Sequence, residues 1–136
     1  MKFETEAIHG VEKEKRESIW GSIINLACTY RIVHDVYSKF GLEYTFVDTT
    51  NLENIKNAIK KNTKAIFIET PSNPLLDVTD IKKVVKMAKE HNLITIADNT
   101  FMTPYLQKPL DLGIDVVIHS ATKFLSGHHD VLAGVA

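Results

Sequence analysis

The sequence is poor in cysteine, in tryptophan, in long apolar runs and in net charge of either sign. A single cysteine, Cys28, can form neither an internal disulfide nor a Cys-only metal site. Lys and Arg number 16 against 17 Asp and Glu, so composition gives no electrostatic basis for nucleic-acid or anionic-membrane partners. Apolar stretches are short and broken by charge, so no bilayer span is expected. The polar start, Met1-Lys2-Phe3-Glu4-Thr5-Glu6, is not expected to be a secretory signal. These features predict a soluble, cytoplasmic protein. What is present in quantity is apolar residues, 44% of 136, enough for one globular domain with little room for a second.

The polar stretch 1–22 reads as an N-terminal arm without a stable apolar stripe, and 23–136 as the folded region. Apolar residues at Tyr30, Ile32, Val33, Val36, Tyr37 and Phe40 predict a helix over Thr29–Phe40 with one buried face, closed by Gly41. Tyr44–Asp48 is β-branched and aromatic and predicts a strand. Leu52, Ile55, Ala58 and Ile59 stripe a second helix, with Asn51 as N-cap. Ile81, Val84, Val85 and Ala88 stripe a third, capped by Thr79-Asp80 and ending near Asn92. Ala65–Thr70, Leu93–Ala97 and Val116–Ile118 are continuous apolar runs, as expected of strands buried on both faces. A helical or irregular stretch is expected around 104–112. Alternating helices and strands predict an α/β fold, a mostly parallel sheet with flanking helices.

In such sheets, ligands bind beyond the carboxyl ends of the strands. Three polar clusters follow the apolar runs: Glu69–Asn73, Asp98–Thr100 and Ser120–Lys123. A lysine beside a buried strand lies near the low-dielectric interior, where burial favours the neutral, nucleophilic amine that forms Schiff bases with aldehydes. Ser120 and Thr122 lie two apart and can direct both hydroxyls at one anion. A carboxylate at Asp98 needs a partner to sit at a strand end. Taken singly, each also reads as an ordinary turn residue or surface lysine. Gly127-His128-His129-Asp130 is not read as a metal site, because adjacent histidines seldom chelate one ion.

The run Asp115-Val-Val-Ile-His-Ser-Ala-Thr-Lys-Phe-Leu-Ser-Gly-His-His129 resembles the attachment signature of the Cys/Met-metabolism (trans-sulfuration) enzymes. These depend on pyridoxal 5'-phosphate (PLP) and include the cystathionine γ-synthase, cystathionine lyase and methionine γ-lyase types. Glu69-Thr-Pro-Ser-Asn-Pro74, Ala97-Asp-Asn-Thr-Phe101 and Pro104–Leu110 are similar to further family segments, in the same order. The resemblance implies part of an aspartate aminotransferase-like large domain. It also implies a Schiff base between PLP and Lys123, and Lys123 as the acid/base that moves protons on the substrate. Asp98 would pair with the pyridine nitrogen. Ser120 and Thr122 would hold the phosphate, and Asn73 would lie near the phenolic oxygen or the substrate carboxylate. The implied substrate is a small amino acid: cystathionine, methionine or an activated homoserine.

The sequence also departs from the family pattern. Leu26-Ala27-Cys28-Thr29 stands where the family has Tyr-Gly-Gly-Thr, so the stacking tyrosine is replaced by Leu26. No counterpart is seen of the Ser-Gly-Met phosphate loop, of the Tyr/Arg pair that reaches a neighbouring subunit, or of the arginine that grips the substrate carboxylate. The sequence therefore reads as an internally deleted, C-terminally truncated member, and little or no turnover is expected of the chain alone. Homo-oligomers are expected of intact members and doubtful for this chain. Three readings stay open at this stage: a PLP-dependent sulfur-amino-acid enzyme, a non-catalytic remnant that binds PLP weakly or not at all, and an unrelated α/β binding module.

Overall fold

A computed structural model of the chain describes residues 31–128 and 130–136. The expected arm at 1–22, Leu26, Cys28 and the start of the first expected helix lie outside the described residues. A π-helical turn, Ile32–Val36, runs into a 3-10 turn, Tyr37–Phe40, which Gly41 closes at φ 85°. Helix α1 is Leu52–Ala58, strand β1 Ala65–Glu69 and helix α2 Ile81–Glu90. Strand β2 is Ile94–Asp98, and a short helix α3 spans Thr103–Leu106. A 3-10 turn, Leu110–Leu112, precedes β3, Val116–Ser120, and β4 is Gly134–Val135.

Local chemistry sets the helix ends. The Asn51 side chain accepts from the Glu53 N–H at 3.0 Å, and Asp80 from the Lys83 N–H at 3.1 Å, each satisfying an orphan first-turn donor. That contact and the Lys83 ammonium, 3.0 Å from Asp80, hold the Asp80 carboxyl below the usual carboxylate range. The α2 helix stops where the chain turns left-handed at Asn92, φ 53°.

The sheet has four strands in the order β1-β2-β3-β4. The first three are parallel, with Glu69 beside Asp98 and Asp98 beside Ile118. The fourth returns antiparallel, placing Gly134 beside Ser120. Alternation divides the sheet into two faces. Ile66, Ile68, Thr95 and Ala97 point into a core shared with Ile55 of α1 and with Ile81, Val84, Val85 and Ala88 of α2. The opposite row is less covered: Ile94 is 53% exposed and Val116 37%. At the amino end of the sheet, Asp115 Oδ2 accepts from the Thr95 hydroxyl at 2.7 Å and the Thr95 N–H at 2.8 Å. These bonds hold the Asp115 carboxyl below its ordinary value and pin the start of β3 to β2.

Four expectations are corrected. The helix expected over Thr29–Phe40 is, where described, a π turn followed by a 3-10 turn with no buried residue, so the expected buried face is not formed. The Tyr44–Asp48 segment is not a strand of the sheet. β propensity reflects fit to a pleated surface and supplies no neighbour, and Asp48 draws the chain into a turn by accepting from the Thr50 N–H at 2.8 Å. The strands are not buried on both faces, because α1 and α2 pack on one side only. Lys123 is exposed rather than set beside the low-dielectric interior, because the chain leaves β3 in a surface turn before reaching it. Among the described residues, no helix is long and apolar enough to cross a membrane.

Candidate functional site

Parallel pairing brings the three polar clusters to one edge of the sheet. Glu69 and Asp98 end neighbouring strands and share the less covered face. By the same alternation Ile118 lies level with Asp98, and Ser120 follows on that side. Glu69 is 3% exposed, while Asp98 and Ser120 are half-buried.

Thr100 ties Asp98 to Ser120. Its backbone N–H donates to Asp98 Oδ1 at 2.9 Å, and its Oγ1 accepts from the Ser120 N–H at 2.7 Å. One nearly buried residue thus fixes the carboxylate relative to the end of β3. After Ser120 the chain coils tightly. The Lys123 N–H donates to Ser120 O at 3.1 Å, the Gly127 N–H to Lys123 O at 3.1 Å, and the Ser126 hydroxyl to Thr122 O at 3.1 Å. Phe124 packs edge-on against Phe101, with ring centroids 5.9 Å apart, which anchors the lysine segment to the loop after β2. Thr122 turns toward β4: its Oγ1 accepts from the Ala133 N–H at 3.1 Å and makes a longer contact, 3.4 Å, to Ala133 O.

Asn73 lies on a separate loop, half-buried, between cis bonds at Thr70–Pro71 and Asn73–Pro74. The loop is pinned from within: Ser72 Oγ accepts from the Asp77 N–H at 3.0 Å, and Thr70 Oγ1 accepts from the Thr79 N–H at 2.9 Å. The structure therefore joins Asp98 and Ser120 through Thr100, carries Thr122 and Lys123 on the adjoining turn, and places Asn73 on the next loop along the same edge.

The donor set suits PLP. Asp98 offers a carboxylate acceptor for a protonated ring nitrogen, Ser120 and Thr122 offer hydroxyls for a phosphate, and Lys123 offers an accessible amine. His119 Nδ1 is a buried nitrogen without a hydrogen-bond partner, next to Ser120. Among the described residues, no group of three or more metal-ligating side chains converges. Reading the sequence alone placed Thr100, Asn99 and Gln107 in a polar cluster or a family-like segment but gave none of them a role; Asn99 is buried and Gln107 half-buried behind the same edge. Their only sequence signal is polarity just past an apolar run, which ordinary turns share.

Comparison with known proteins supplies the family and agrees with the fold. The chain is 61% identical over 108 residues to cystathionine beta-lyase MetC of Bacillus subtilis (strain 168), covering 79% of this chain and 28% of that protein. It is 55% identical over 109 residues to L-methionine gamma-lyase of Treponema denticola, covering 79% of this chain and 27% of that one. Among solved structures, cystathionine gamma-lyase from Lactobacillus plantarum, complexed with L-serine, superposes with a TM-score of 0.77 at 52% identity. That match covers 78% of this chain and 28% of the other. The chain thus spans little more than a quarter of the length of these relatives. The sequence profile of the Cys/Met metabolism PLP-dependent enzymes matches residues 18–136, and the chain belongs to that family.

Proposed function

We propose that this chain forms part of the PLP-binding domain of an enzyme of sulfur amino-acid metabolism. The reaction is elimination or replacement at the β- or γ-carbon of cystathionine, methionine or an activated homoserine. The observation that carries this reading is the Thr100 bridge, which holds Asp98 and Ser120 at adjacent strand ends with Lys123 exposed on the turn that follows.

The chemistry a bound PLP would supply is an electron sink for the pair left when a proton is removed from the substrate α-carbon. Lys123 Nζ is the attachment point and then takes and returns protons on the substrate. Asp98 accepts a hydrogen bond from the pyridine N–H and keeps that nitrogen protonated. Ser120 donates its hydroxyl to the phosphate. Thr122 would do the same, its hydroxyl making only a long contact, 3.4 Å, to Ala133 O. Asn73 lies toward the phenolic oxygen or the substrate carboxylate. The proposal includes a small amino-acid substrate, a cytoplasmic setting and a homo-oligomeric enzyme, without nucleic-acid or membrane partners.

The test is to add PLP to the purified chain, record the visible spectrum, trap with borohydride and map the labelled peptide. The label is expected on Lys123 and lost in Lys123→Ala; an unchanged spectrum in that variant overturns the assignment. A second reading, cofactor binding without turnover, is favoured by Leu26 standing where the family carries a stacking tyrosine. Release of α-keto acid from cystathionine or methionine by the chain alone would refute it.

A further inference from the structure

The row of side chains on the core face does not end at the strand termini. It continues past Ile68 to Thr70, 2% exposed, and past Ala97 to Asn99, 1% exposed. An amide buried this deeply is costly unless its donors and acceptor are used. Asn99 Nδ2 donates to Thr103 O at 3.1 Å and to Gln107 O at 2.9 Å. Gln107 Nε2 donates to Asn99 Oδ1 at 2.9 Å and to Thr70 O at 2.9 Å. Every side-chain N–H of the pair is thus engaged. The Asn99 backbone N–H also donates to Ile118 O at 2.9 Å.

The three loops joined in this way are those of the cofactor reading. Thr70 leads into the Asn73 loop, Asn99 follows Asp98, and Ile118 lies two residues before Ser120. We propose that Asn99, which is buried, and Gln107, which is half-buried, form an amide bracket that sets the spacing between Asn73, Asp98 and Ser120, and so are positioning residues for the cofactor site. The proposal rests on the PLP reading above and adds to it. Neither residue needs to touch the cofactor: Asn99 lies on the opposite side of the strand end from Asp98, and Gln107 is bonded to Asn99 and to Thr70 O.

The bracket acts through hydrogen bonds, so its removal differs from a loss of packing. Gln107→Ala deletes both Nε2 bonds. Gln107→Glu keeps the volume but turns a carboxylate on two acceptors, Thr70 O and Asn99 Oδ1. Val85→Ala is the control: it opens the core on α2, away from the bracket. Backbone amide exchange by NMR at Ser72, Asn99 and Ser120 reports the three loops, and titration with PLP reports the site. Both Gln107 variants are expected to exchange about tenfold faster at all three amides, the scale of the two part-buried hydrogen bonds lost. They are also expected to bind PLP about tenfold more weakly while still labelling at Lys123. Val85→Ala is expected to lower the melting temperature with neither effect. Unchanged exchange at Ser72 and Ser120 in both Gln107 variants overturns the bracket. So does a Val85→Ala variant that reproduces both changes. If the unsubstituted chain takes no label at Lys123, the PLP reading fails, and the exchange comparison alone decides the bracket.

Discussion

The two faces of the sheet differ in cover, and neighbouring residues on β1 measure the difference. Ile68 is fully buried, in the same core cluster as Val84 and Val85. Ile68→Ala removes three carbons, about 2.4 kcal/mol at about 0.8 kcal/mol per buried methylene. Its register partner on β2 is Ala97, too short to fill the space, and the ladder bonds of β1 and β2 resist collapse. A cavity cost therefore adds, giving about 3–4 kcal/mol in total. Phe67 is larger but points to the less covered face and is only half-buried. Phe67→Ala is expected to cost about 1–2 kcal/mol, well under the roughly 3–5 kcal/mol of a fully buried phenylalanine. Urea unfolding followed by far-UV circular dichroism measures both, and the two variants should share one m-value. Ile68→Val, expected at about 1 kcal/mol, keeps the comparison open if the alanine variant does not fold. If Phe67→Ala costs as much as Ile68→Ala, the two faces of the sheet are equally covered and α1 and α2 do not account for the difference.

Asp115 adds a pH dependence of known sign. Its carboxyl lies below the ordinary value of 3.8 because Thr95 donates to it, so its contribution is present above that pH. That contribution is lost as pH falls through the lowered value, and Asp115→Asn should flatten this part of a urea-stability profile taken below pH 4. Gly113 has φ 95°, and an added Cβ would lie 3.0 Å from Val85 Cγ1, whereas Gly41 at φ 85° faces open space. Gly41→Ala should cost about 1–2 kcal/mol from the backbone alone, and Gly113→Ala visibly more, read as melting temperature. Phe124→Ala loses the ring contact to Phe101. It should cost about 0.5–1.5 kcal/mol and speed tryptic cleavage after Lys123, and an unchanged cleavage rate would remove the anchoring role given to Phe124.

Elements fixed by local chemistry were legible in the sequence. Asn51 and Asp80 mark helix starts because capping needs only a side-chain oxygen and a neighbouring N–H. The three parallel strands were legible as apolar runs. Elements that depend on a distant partner were not. Gly134-Val135 is too short to show a pattern and becomes a strand only by pairing with His119 and Ser120. Tyr44–Asp48 has the pattern and is not part of the sheet. The same division holds at the site. Asp98, Ser120 and Lys123 follow from the strand-end rule and from resemblance. The exposure of Lys123 and the turn of Thr122 toward Ala133 depend on how the chain returns as β4. Asn99 and Gln107 stand eight positions apart, and nothing in that spacing shows that their amides meet.

The division of labour at the edge follows from one periodicity. Side chains alternate along a strand, and here the alternation persists just past the strand ends. One row, through Ile68 to Thr70 and Ala97 to Asn99, ends in a buried polar network. The other, ending in Glu69 and Asp98 with Ser120 beyond Ile118, carries Asp98 and Ser120 of the proposed cofactor site. Hydrogen-bonding residues are needed on both rows, for opposite reasons: Asn99 because it is buried, Asp98 because it must reach a partner. A one-residue slip of β2 would exchange them, placing a carboxylate in the core and an amide at the ligand. Each requirement alone is a weak constraint on register. Together with the Thr95–Asp115 clamp at the amino end, they fix β2 at both ends, so the contacts that hold the fold in register also aim the candidate site.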